Sequence, residues 1–163
     1  MEALPSPSSS PVPAPSHGRL FLRALCAVLA GVLAGVGVIM LVEMLGHLRH
    51  PPPPGLNPKD TAALARWVAT LPAGAHAVVL AAWAAGMFTG AAVAARVGQA
   101  RWPALVVAMF LLAGSIQMLI TLPHPVWMWP GALILCPSAA FAGVRLAGAM
   151  RPDASPQAPQ GNS

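Results

Sequence analysis

Charge is scarce in this chain: 8% of its 163 residues are Asp, Glu, Lys or Arg, against ~25% in an ordinary soluble domain. With 56% hydrophobic residues and a mean hydropathy of +0.67, it has too few polar groups to cover a water-facing surface. A soluble class is excluded and an integral membrane class follows. Acids are scarcer still, four against nine Lys and Arg. The resulting net charge of +5 does not point to nucleic acid. The basic residues stand at the ends of apolar runs, where they orient membrane helices, and not together on one polar face. Cysteine is also sparse. Cys26 and Cys136 both lie in apolar runs, without a C-x-x-C or a suitably spaced His. Zinc modules are thereby excluded, and both read as small apolar packing residues.

Apolar runs are what the chain does have. Residues 1–18 are Pro and Ser rich without apolar periodicity, and they and residues 149–163 read as disordered tails. Between them, residues 19–148 form a membrane domain with apolar blocks at about 20–45, 76–97, 103–122 and 126–148. Each approaches the ~20 residues that cross a ~30 Å hydrocarbon core as a helix. Backbone polar groups must pair internally there, so the blocks are helices. The first is longer than the ~7–15-residue apolar core of a signal peptide and reads as a retained span. The fold class is therefore all-α: an integral membrane four-helix bundle.

The first loop holds a further element. In "NPKDTAALARWVATLP", Asn57 reads as the N-cap and Pro58 as the first helical residue, giving a helix at about 58–71. Leu64, Trp67, Val68 and Leu71 share one face, as in an interfacial helix on the outer surface or over the bundle end. Arg19, Arg23, Arg96, Arg101, Arg145 and Arg151 fall on one side of the membrane, and Arg49, Lys59 and Arg66 on the other. The bias places both termini in the cytoplasm. In a bacterial inner membrane, the first and third loops then face the periplasm.

Small residues recur at four-residue steps: Gly31 and Gly35; Ala82, Gly86, Gly90 and Ala94; Ala139, Gly143 and Ala147. Such stripes permit close helix crossings, within one chain or toward a second copy or a membrane-protein partner. Pro137 interrupts the fourth span and should free the Leu133 carbonyl, with Ser138 compensating in part. Gln117 reads as bonding a neighbouring helix. Trp67, Trp102, Trp127 and Trp129 fall at water boundaries, as an aromatic belt does; only Trp83 lies within a span.

One stretch carries chemistry: "VEMLGHLRHPPPPGL", residues 42–56. From Ala24, Glu43 lies ~28 Å along the helix, at the far edge of the hydrocarbon, where a carboxylate is tolerated. Glu43 and His47 are four apart and share a helix face. His50 follows, His76 opens the second span, and His124 sits in "PHP" of the third loop. Glu43, His47, His50, His76 and His124 thus gather at one membrane face. Three readings compete: a hydrated helix end, a hydrogen-bonded tie between loops, and a metal or proton site, since imidazole with carboxylate suits zinc, copper or iron. The histidines stand at span ends and loops, not in facing helices as a haem bundle requires. Glu43 is also too shallow for the deep acid of a small multidrug transporter.

"EMLGH" at 43–47, "PPPPGL" at 51–56 and "PHPVW" at 123–127 resemble segments of a family of uncharacterised small bacterial membrane proteins with four predicted spans. The resemblance covers roughly residues 20–148. It implies the four-span fold and assigns no activity, cofactor or catalytic residue. Without a nucleophile, base and orienting group at related positions, hydrolysis is disfavoured. The sequence points first to a structural or accessory membrane subunit, and alternatively to an ion- or metal-handling protein using the Glu/His cluster.

Overall fold

Long apolar runs give long helices. The computed structural model describes residues 17–149 other than 58, and among these it is all-helical: α1 (His17–His47), α2 (Thr61–Ala69), α3 (Ala73–Gly98), α4 (Trp102–Thr121) and α5 (Met128–Ala149). α1, α3, α4 and α5 are each long and apolar enough to cross a membrane, and they pack as a bundle. The spans begin or end a few residues from the sequence boundaries. α1 starts inside the expected tail and α3 gains Ala73–Ala75, because nothing in those residues breaks a helix after Pro72. The remainder of both tails lies outside the described residues.

α3 is the hub. It packs against α1, α4 and α5, whereas α1 and α5 do not touch. The small-residue stripes explain why. A side chain on Gly31 would meet the Gly90 carbonyl oxygen at 2.8 Å, and one on Gly35 the Gly86 carbonyl oxygen at 2.9 Å. α1 and α3 therefore cross backbone to backbone. On another face of α3, a Cβ at Gly143 of α5 would run into the Phe88 carbonyl. Ala82, Ala91 and Ala94 are fully buried at these crossings, with Met87 and Val107 filling between them. In lipid this close fit is what holds helices together. The outward faces stay apolar: Leu29, Leu33 and Met40 of α1 are more than half exposed, as a hydrocarbon solvent allows.

The ends are fixed by polar contacts. The Arg23 Nε–H donates to the Val97 carbonyl at 3.0 Å, satisfying a last-turn acceptor of α3. α3 then stops at Gln99, which adopts the left-handed region (φ 52).

Several expectations shift. The N-cap of α2 is Asp60, whose carboxylate accepts from the Ala63 N–H at 3.0 Å. Asn57 instead accepts from the Lys59 N–H at 3.0 Å in a turn of its own; two capping residues lay three apart, and the later one won. Gln117 donates to Thr121 Oγ1 on its own helix at 3.1 Å and is exposed, not bonded to a neighbour. The Ser138 hydroxyl donates to the Ile134 carbonyl at 2.7 Å, its own preceding turn, and not to Leu133. Cys136 is buried, but Cys26 is exposed on the outside of α1; both are free thiols.

Candidate functional site

The antiparallel bundle brings the C-terminus of α1, the N-terminus of α3, the C-terminus of α4 and the α4–α5 turn to one end. A cleft of about 460 Å³ opens there, lined by Glu43, His47, His50, His76 and His124. All five sequence candidates thus share one cavity. Its walls are mostly apolar, with Val79, Met118 and Leu122 among them, and the apolar face of α2 (Leu64, Trp67, Val68) lies over it. The first-loop helix therefore covers the bundle end.

Local structure places each side chain. Helical bonding outlasts α1: the His50 N–H still donates to the Gly46 carbonyl at 3.2 Å, so Glu43, His47 and His50 follow one another around the helix end. The Glu43 carboxylate faces the Trp83 indole, with His47 beside it one turn on. The His47 ring lies 6.0 Å from the Trp67 ring, tying α1 to α2. His76 occupies the first turn of α3, and its Nδ1 pairs with the Pro72 carbonyl at 3.2 Å. The Nδ1 of His124, held between two prolines, pairs with the Leu122 carbonyl at 3.0 Å. The two rings stand edge to face, 5.8 Å apart, and Trp83 closes the floor 6.0 Å from His124.

The chemistry follows from these bonds. A carbonyl only accepts, so in each neutral imidazole the proton sits on Nδ1 and Nε2 presents a lone pair. His76 is 4% exposed, and its Nε2 is buried without a hydrogen-bond partner. Burying a polar atom unpaired costs about 1–3 kcal/mol, so this position is unfavourable unless something fills it. Burial holds the His124 imidazole below its ordinary range; the Leu122 carbonyl opposes this and neighbouring His76 adds to it. A ring kept neutral keeps its lone pair for a ligand.

The five residues do not close into a single coordination sphere: among the described residues, no three His, Cys, Asp or Glu side chains gather as a metal ion would need. Four of them fall into two pairs, Glu43 with His47 on α1 and His76 with His124, while His50 lines the cleft beyond the end of α1. The imidazole bonds to Pro72 and Leu122 are local and do not cross between elements; what joins α3 to the α4–α5 turn here is the edge-to-face contact of the two rings. Trp83 and Met118 were not singled out by sequence as site residues. Trp83 lies seven residues after His76, two turns along the same face, and that spacing was the available signal. Met118 carried none.

No protein-family model, curated protein or solved structure matches this chain.

Proposed function

We propose that this is a multi-pass protein of a bacterial inner membrane, both termini cytoplasmic, whose periplasmic cleft handles a metal ion through His76 and His124. This reading is preferred to a purely structural or accessory subunit on one observation. The His76 Nε2 is buried and unpartnered, beside a second imidazole locked in the same tautomer. A buried, unpaired lone pair with a second imidazole at its side favours a cation there.

The Nδ1 bonds to the Pro72 and Leu122 carbonyls support it: ligating histidines commonly donate their other ring N–H to a backbone carbonyl, which fixes ring and tautomer. Two imidazoles on a tetrahedral ion with bonds of ~2.0–2.1 Å bring ring centres to ~5–6 Å, which the pair matches. With two protein ligands the ion keeps open positions, as suits transfer more than permanent structural binding. The cleft exceeds a bare ion, leaving room for water or a small chelating carrier. Copper or zinc fits imidazole, and the Met118 thioether in the wall leans toward copper(I).

The test is titration of the purified chain in mild detergent with copper(I) and zinc(II), repeated on His76→Ala, His124→Ala. One ion per chain is expected, weakened by about tenfold or more in the double variant, equivalent to ~1.4 kcal/mol. Absence of stoichiometric binding by the parent chain, or equal binding by the variant, would overturn the reading.

A further inference from the structure

At the end of the bundle opposite the cleft, α4 and α5 touch only sparingly. A groove of about 1060 Å³ opens between them, floored by Met87 and Ala91 of α3 and walled by Ala108 and Leu112 of α4 and Pro137 of α5. Arg101 and Arg145 stand at its mouth, both exposed. The Arg145 guanidinium lies 4.7 Å from the Phe141 ring centre, which holds the head group while leaving its N–H donors free to bond outward. Glu43 and Asp60, the carboxylates among the described residues, belong to the other end, so among those residues no acid faces either arginine. α4 also begins here with no side-chain cap, presenting first-turn N–H groups and the positive end of its dipole beside both guanidinium groups.

We infer that this groove binds an anionic glycerophospholipid, its phosphate between Arg101 and Arg145 and an acyl chain along α4 and α5. The charge pattern selects the head group: basic pockets between membrane helices take anionic lipids. The groove's length selects a lipid over a peptide or a free anion. From Arg101 to Leu112, α4 rises ~16 Å, about half of a ~30 Å hydrocarbon core and so the depth of one leaflet. The lipid completes the contact that α4 and α5 leave unmade. This site is independent of the histidine cleft, shares no residue with it, and stands or falls separately.

The test reconstitutes the full chain in phosphatidylcholine nanodiscs with a minor fraction of phosphatidylglycerol, then measures by native mass spectrometry which lipid stays bound. The parent chain should retain phosphatidylglycerol with about tenfold enrichment over the supplied ratio. Arg101→Gln, Arg145→Gln should return retention to that ratio. Ala108→Phe, which narrows the groove and keeps both arginines, should lower it too. Excess inorganic phosphate should leave the lipid in place. Unchanged enrichment in the double arginine variant overturns the inference. So does full displacement by phosphate, which would assign the site to a free anion, or a lipid-free dimer, which would assign the groove to a second copy.

Discussion

Acidification acts on His124 in a direction its surroundings set. Burial depresses its pKa in the folded chain, so the unfolded chain binds the proton first. Stability from this residue is full above the ordinary value of 6.5, declines as pH falls below it, and levels off once the folded ring is protonated too. Thermal unfolding at pH 7.5 and pH 5 should show a lower Tm in acid, and His124→Gln should narrow that gap; a gap of unchanged size would assign it to other groups. The lone-pair chemistry at this scale was only half legible. Helical spacing and loop position put five polar residues at one end. The tautomers of His76 and His124 were not readable, because they depend on which carbonyl each ring reaches, and a carbonyl belongs to every residue alike. Trp83 was hidden for another reason: an aromatic in an apolar run reads as packing until its neighbours are known.

Helix crossings separate glycines that look identical in sequence. On α1, a Cβ at Gly35 would meet the Gly86 carbonyl oxygen at 2.9 Å and Leu111 Cδ1 at 2.7 Å, whereas nothing lies within 4 Å of one at Gly37. Gly35→Ala should lower Tm, with a destabilisation of about 1–3 kcal/mol from overpacking. Gly37→Ala should be neutral or stabilising by up to ~1 kcal/mol, through helix propensity. Equal losses at both positions would mean that α1 is not seated by close approach. The four-residue stripes announced these crossings correctly but not their partners, since a stripe fits any other small stripe. Caps and lone polar groups were less legible. Asn57 and Asp60 both suit an N-cap, and Gln117 reaches Thr121 four residues on before it reaches another helix.

The bundle as a whole was the most legible level, because scarcity of charge and repeated apolar length leave few alternatives once the backbone must pair its own polar groups. Sidedness rests on the arginine bias alone. A reporter fused after Gly55 should therefore be active only outside the cytosol, and one after Gln99 only within it; the reverse result would move the histidine cleft to the cytosolic face. The central place of α3 carries one more consequence, for synthesis. Of the four long helices, α1 and α3 leave the ribosome first, and their glycine crossing needs nothing made later. The late-made helices α4 and α5 each find their main seat on α3 already waiting, so the nascent chain grows outward from an early hairpin and need not hold four unpartnered helices until translation ends.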